Sequence, residues 1–367
     1  MKRFVVALVA AGLVLGVVPA RADHVERDVC PTEPTREFPS GFRLPIDHQA
    51  EICRNESVQW KDKHVGGWGG GDCPADHKKR TPVVLVHGTT ADAWFWRAAS
   101  ETADGTITNV RERLIRDGYC PAEIWAISYT GDGNPRGSYG AGYYTYNDVN
   151  ADEVWQFIMS VRDFTGAPVV DVVGHSLGVT VVRKGMFLHR HDAPDVNPYD
   201  VVRRAVMIAG GNHGTTVCRG GTVLHPSHVC DEVDPDSPWL TDLNSIGESP
   251  GPTKWMSICD CLAADQFYEG PDIESPLLAG SVQLRLPGTP HITLARGKVS
   301  LDRYVPFLVE GSAEARDGAA KPRARVEAVR HTTGLPATGL PQPLAIPGVL
   351  LALAALGVIL LLRRRTP

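Results

Sequence analysis

The residues able to do chemistry together are a serine, a late histidine and two aspartates. Ser176 lies in Gly174-His175-Ser176-Leu177-Gly178, directly after the β-branched run Val169, Val170, Val172 and Val173. A run of that length and composition predicts a buried strand, so the pentapeptide falls at a strand-to-helix turn. Glycines on both sides allow a turn tight enough to aim the serine Oγ outward while a helix packs behind it. Ser176 is therefore a candidate nucleophile, and a serine nucleophile needs a base that is itself oriented by an acid. In this strand-turn-helix context the chain order is serine, acid, histidine. His291, in Pro290-His291-Ile292-Thr293, follows the last predicted strand; His189, His191, His213, His225 and His228 come too early, and His331 lies beyond the domain. Asp260 and Asp265 both follow the preceding predicted strand, and either can serve as the acid. The amide of Leu177 and, by position alone, that of Thr89 after the His87-Gly88 turn are the candidate donors to an oxyanion.

These residues need a frame that brings distant turns to one edge. An apolar run from Thr81 ends at His87-Gly88, and Glu123 to Tyr129 reads as the next strand. A helix is expected from about Ala151, capped by Asn150 with Glu153 three residues on, striped by Val154, Phe157, Ile158 and Val161, and ended by Gly166. Further strands are read at Arg204 to Ala209, Lys254 to Cys259 and Ser281 to Leu286. Ile107, Val110 and Leu114 have one-face helical spacing, stopped by Gly118. Strands alternating with helices predict an α/β fold with a mostly parallel sheet covered on both faces, and ligands in such sheets bind at the carboxyl ends of the strands. The glycine-rich stretch Gly131 to Asn147 carries Tyr139, Tyr143, Tyr144 and Tyr146, which suit either an acyl-binding groove or a packed surface loop.

The ends have a different composition. Residues 1–22 read as a secretory signal: Lys2 and Arg3, an apolar run from Phe4 to Val18, then Ala20-Arg21-Ala22. Residues 23–80 form an irregular, cysteine-containing, glycine-rich lead-in, 81–311 the catalytic domain, and 312–334 a flexible stalk of Ala, Arg, Glu and Pro. In residues 335–367, Leu335-Pro336-Ala337-Thr338-Gly339 precedes an apolar run from Leu344 to Leu362 and Arg363-Arg364-Arg365. That run would be about 28 Å long as a helix, enough to cross a bilayer core, with the arginines held inside. Removing both ends takes away Lys2, Arg3, Arg21 and the three terminal arginines but no acidic residue, moving the formal charge from −5 to −11. Such an acidic chain, without a basic stripe, argues against nucleic acid as a partner. All eight cysteines fall between the two ends, and an even number in an exported chain points to disulfides whose connectivity the sequence leaves open, with Cys218 and Cys230 able to close a local loop. Cys259-x-Cys261 lacks the accompanying His/Cys cluster that a metal site requires.

Taken together, Val83 to Gly88, Ala141 to Asp148, Gly174 to Gly178, Gly211 to Gly214, Ser237 to Asn244 and Pro287 to His291 resemble the bacterial secreted class 2 lipases and the related extracellular poly(3-hydroxybutyrate) depolymerases. The resemblance covers Thr81 to Gly311. It implies the α/β-hydrolase fold and a serine hydrolase of carboxylic esters, without metal or organic cofactor, acting on an ester or lipid and alternatively on a polyester. Lipases of this type carry their acid where Asp265 stands, which favours Asp265 over Asp260. The C-terminal trio resembles a Gram-positive cell-wall sorting signal; it implies sortase and peptidoglycan as partners, transient membrane contact through the apolar helix, and a wall- or surface-anchored enzyme. A catalytically idle surface-binding protein on the same scaffold is the reading of another class.

Overall fold

The computed structural model describes residues 37–44, 66–89, 91–102, 105–129, 146–193, 196–219 and 228–310. The expected signal segment, the stalk, the sorting signal and the tyrosines at 139, 143 and 144 lie outside them. In chain order the elements are β1 (Trp68–Gly69), β2 (Val83–Val86), β3 (Ser100–Thr102), β4 (Gly105–Ile107), α1 (Val110–Arg116), β5 (Ile124–Ile127), α2 (Asn147–Thr165), β6 (Val170–His175) and α3 (Leu177–Leu188). They continue with α4 (Pro198–Val201), β7 (Val202–Ile208), α5 (His228–Glu232), α6 (Pro238–Asn244), β8 (Lys254–Cys259), β9 (Val282–Arg285), α7 (His291–Arg296) and α8 (Lys298–Val309).

Seven strands form one sheet in the order β1-β5-β2-β6-β7-β8-β9, all parallel except β1, which pairs antiparallel with β5. β2, β5 and β6 are buried along their whole length, because helices cover both faces and leave no polar side to alternate with. Successive residues of β2 still part to opposite faces. Val84 and Val86 join Phe157 and Ile158 of α2 and Val181 of α3, whereas Val83 and Leu85 join Leu114 of α1 and Leu301 and Tyr304 of α8. Each fully buried aliphatic side chain contributes about 1.5–3 kcal/mol.

After β2 the chain places β5 on one side of it and then β6 on the other. This reversal makes the carboxyl ends of β2 and β6 the topological switch point, the place where open α/β sheets bind their ligands. At the opposite end of β6 the fully buried Asp171 accepts from the Arg203 guanidinium, which also donates to the Leu308 and Glu310 carbonyls at the end of α8. Burial pushes the Asp171 carboxyl up to about 6 against the pull of Arg203 and Arg204. This clasp anchors the α7–α8 pair, whose first residue is His291.

Three sequence expectations need correction. The helix expected from Ala151 starts at Asn147 with Tyr146 as its cap residue, and Asn150 is fully buried inside it. Its start is fixed by tertiary partners: the Asn147 amide donates to Glu232 Oε2 and its side chain to the Val229 carbonyl. The lead-in is not wholly irregular, since Trp68–Gly69 extends the sheet at one edge and the Cys73–Cys120 disulfide ties that edge to the loop before β5. Ile107, read as the first residue of a helical stripe, belongs to the β3–β4 hairpin, with Asn109 capping α1 after it. No helix among the described residues is long and apolar enough to cross a membrane.

Candidate active site

Ser176 takes φ 54° and ψ −126° between β6 and α3, a conformation costing a non-glycine residue about 1–3 kcal/mol. Packing holds it there. A Cβ on Gly178 would stand 2.3 Å from the His87 carbonyl oxygen and 2.7 Å from that of Val86, so α3 lies directly on the end of β2. A Cβ on Gly174 would meet the Gly178 oxygen at 3.0 Å and Val179 Cα at 3.1 Å, which is the elbow closing on its own helix. Backbone approach thus requires glycine at 178, which seats α3 against β2, and leaves a tighter than usual fit at 174, where α3 meets β6. Gly88 serves the same end from the neighbouring strand, where an added Cβ would lie 2.6 Å from Ser176 Cβ and 3.2 Å from its Oγ. Ser176 is partly buried, while the residues on either side of it are buried outright.

The late histidine and one aspartate meet. His291 Nδ1 and Asp265 Oδ2 are 2.8 Å apart, with both residues nearly excluded from solvent. Phe267 lies against the imidazole with ring centroids 4.5 Å apart. Asp260 does not reach His291; its Oδ2 accepts from the amides of Leu262, Ala263, Ala264 and Asp265, and its Oδ1 from the Thr289 amide. Burial alone would raise the Asp260 carboxyl, yet the amides of Ala264, Ala263, Thr289 and Leu262 outweigh it and hold the group below its ordinary range. Cys259 and Cys261, on either side of it, are joined as a disulfide. Of the two aspartates the sequence left open, the geometry therefore pairs Asp265 with the histidine.

Leu177 opens α3, so its amide is among the four N–H groups that a helix start leaves without an intrahelical acceptor. Thr89 follows Gly88, which places the second expected donor on the β2 side of Ser176. His213 is outside this group, paired instead with Glu248 at 3.0 Å. It lines a cleft of about 400 Å³ with Glu248, Asp272, Glu274 and Arg285; neither Ser176, Asp265 nor His291 borders that cleft.

Sequence reasoning assigned no role to His175. Its ring is buried, stacks on Phe95 at 5.0 Å, and donates from Nε2 to the His291 carbonyl at 3.1 Å. Burial, followed by the field of His291, holds its pKa well below the usual histidine range. A neutral ring with its proton on Nε2 is thus a strut between the elbow and the segment carrying His291. The available signal was a histidine inside the pentapeptide itself. Strain also collects on this edge: among the described residues, the non-glycine residues with positive φ are Ser176, Ala209 and Cys261, just past the ends of β6, β7 and β8.

Several solved structures are similar to this chain. The mature form of lipase BlEst2 from Bacillus licheniformis is similar over 65% of this chain and 96% of its own, at 14% identity and a TM-score of 0.47. Its propeptide form matches at 15% identity and a TM-score of 0.49, over 72% of this chain and 56% of its own. Lipase B from Aspergillus fumigatus matches at 15% identity and a TM-score of 0.45, over 65% of this chain and 55% of its own. This chain thus spans about half the length of the latter two. No curated protein sequence matches it. The family model for lipase (class 2) matches residues 80–266, a span that contains β2, the elbow, β8 and both aspartates. With its α/β-hydrolase fold, the chain belongs to the class 2 lipase family and so to the lipolytic hydrolases of carboxylic esters.

Proposed function

We propose that this protein is an exported, surface-held serine hydrolase of carboxylic esters that works through an acyl-enzyme. His291 Nε2 takes the Ser176 Oγ proton as Oγ attacks the ester carbonyl carbon, and Asp265 on Nδ1 fixes the tautomer and stabilises the imidazolium. The amides of Leu177 and Thr89 receive the negative oxygen, aided by the positive end of α3. Collapse of that intermediate returns the proton to the leaving alcohol. Water, deprotonated by the same imidazole, then attacks the acyl carbon and releases the carboxylic acid. The observation that carries this reading is the buried 2.8 Å contact between His291 and Asp265 beside a strained serine turn. For surface anchoring, the support is the order of LPATG segment, apolar run and three arginines, with Thr338 as the residue joined to peptidoglycan by a sortase.

The test is hydrolysis of p-nitrophenyl esters, tributyrin and a polyester film by wild type, Ser176→Ala, His291→Ala and Asp265→Asn. Each variant should lose about 10³-fold or more in kcat without loss of fold. Retained activity in Ser176→Ala would end the serine mechanism, and turnover of the film in preference to tributyrin would make the enzyme a polyester depolymerase. For location, host cells carrying wild type or Thr338→Ala are fractionated with and without a muralytic enzyme. Release of the wild type by detergent alone, with its C-terminal peptide intact, would replace the wall linkage with a membrane anchor.

A further inference from the structure

Two loops must be registered for His291 and Asp265 to meet: the one after β8 that carries the acid, and the one after β9 that carries the histidine. They come from adjacent strands, but strand pairing ends at Cys259 and Arg285, and one backbone bond, from the Leu286 amide to the Cys259 carbonyl, extends the register by a residue. Beyond it, Asp260 bridges the gap. Oδ2 gathers the amides of Leu262, Ala263, Ala264 and Asp265 at 3.2, 2.7, 2.7 and 3.3 Å, winding residues 261–265 around the carboxylate. Oδ1 takes the Thr289 amide at 3.0 Å, two residues before His291. Asp260 is 2% exposed, and its carboxylate meets the main chain of both loops, whereas the histidine ring pairs with the Asp265 carboxylate. A charged acceptor serving five amides in a dry site is worth far more than a neutral one, since such bonds are roughly twice as strong.

We propose that Asp260 is a positioning residue for the hydrolysis, one carboxylate oxygen holding the acid loop and the other the histidine loop, so that Asp265 and His291 are kept in register. The proposal rests on the serine mechanism proposed above. The second aspartate, which by sequence competes for the catalytic role, thereby gains a role of its own that acts through Asp265.

The experiment is a double-mutant cycle on the full chain, with kcat, KM and Tm measured on p-nitrophenyl butyrate for Asp260→Asn, Asp265→Asn and the pair. Asparagine keeps the size and one acceptor oxygen but loses the charge and one acceptor. In the wild-type background Asp260→Asn should lower kcat at least 10-fold with KM changed less than 2-fold. In the Asp265→Asn background it should cost less than 2-fold, because the contact it supports is already gone. The low-field proton NMR signal of His291 Nδ1–H should broaden in Asp260→Asn. Should that variant not fold, Asp260→Glu, which keeps the charge and shifts both oxygens by one methylene, carries the same cycle. Equal losses in both backgrounds, or an unchanged kcat, would overturn the proposal and leave the serine mechanism standing. Activity in Ser176→Ala and His291→Ala would remove the mechanism itself, a separate result.

Discussion

Replacing Gly178 by alanine separates what the elbow contributes to stability from what it contributes to catalysis. Alanine suits the helix backbone at this position better than glycine, by about 1 kcal/mol. Against that, the added Cβ would stand 2.3 Å from the His87 oxygen and 2.7 Å from the Val86 oxygen, where an ordinary C···O contact is about 3.3 Å or more. Both neighbours are main chain at the end of a central strand, so no rotamer change relieves the clash; α3 and β2 must part by about 1 Å. Overpacking of this kind costs about 1–3 kcal/mol, leaving a net destabilisation of about 0–2 kcal/mol and a Tm lower by no more than roughly 8 °C. The catalytic loss should be far larger, because the same displacement moves Ser176 relative to Thr89, and about 1 Å of misplacement costs on the order of 10²-fold in kcat. Gly174→Ala, whose nearest neighbours would be at 3.0–3.2 Å, should lose less than 10-fold. Gly166→Ala is the control, with φ +65° and nothing within 4 Å of its Cβ: it should lose about 1 kcal/mol of stability and no activity. The measurements are thermal unfolding and steady-state hydrolysis of p-nitrophenyl butyrate on all three. A wild-type kcat in Gly178→Ala, or equal losses across the three, would refute the idea that backbone approach at this glycine sets the nucleophile.

The remaining expectations concern disulfides and pH. The Cys73–Cys120 disulfide spans 47 positions, so its removal by paired serine substitutions should cost about 4 kcal/mol while leaving kcat at low temperature intact. The Cys259–Cys261 disulfide spans two positions and restrains far less chain, about 1.5 kcal/mol by the same relation. Its removal should show first in kcat, through the acid loop, with thiol titration confirming the state of each variant. Burial, chiefly, and the nearby Asp148 push the Glu232 carboxyl up to about 7. A raised carboxyl pKa means the native state holds its proton longer than the unfolded chain, so this group's contribution is complete below the unfolded value, about 4.5, and is lost as pH rises through about 7. The Tm of Glu232→Gln relative to wild type should therefore rise between pH 5 and pH 8, and a difference that stays flat or falls would remove Glu232 from the pH dependence.

What the sequence disclosed was the part written in local pattern. Glycines at 174 and 178 after a valine-rich run, the His87-Gly88 turn and a histidine after the last strand all carry their structural reason within a few residues. The start of α2 was misread because Asn150 and Glu153 look like a cap and its box partner, whereas in the fold both are buried side chains within the helix. Trp68–Gly69 was hidden because two residues in a glycine-rich stretch have no period to detect. Asp260 and Asp265, five positions apart on one loop, offer identical chemistry, so the preference for Asp265 came from the family resemblance, and only the direction of each carboxylate in the fold shows which one meets His291.

The line of left-handed residues at the ends of β6, β7 and β8 bears on how this enzyme responds to selection for stability. Glycine at Ala209 would relieve about 1–2 kcal/mol of backbone strain. It would also give up a buried methyl worth about 0.8 kcal/mol and add about 0.5–1 kcal/mol of chain entropy to the unfolded state. The change is close to neutral, so a search for thermostable variants gains nothing there. At Cys261 the same substitution would sever the disulfide, and at Ser176 it would delete the proposed nucleophile. The three strained residues on the edge proposed to hold the chemistry are thus positions that single glycine substitutions cannot improve, and selection for stability must act elsewhere in the chain.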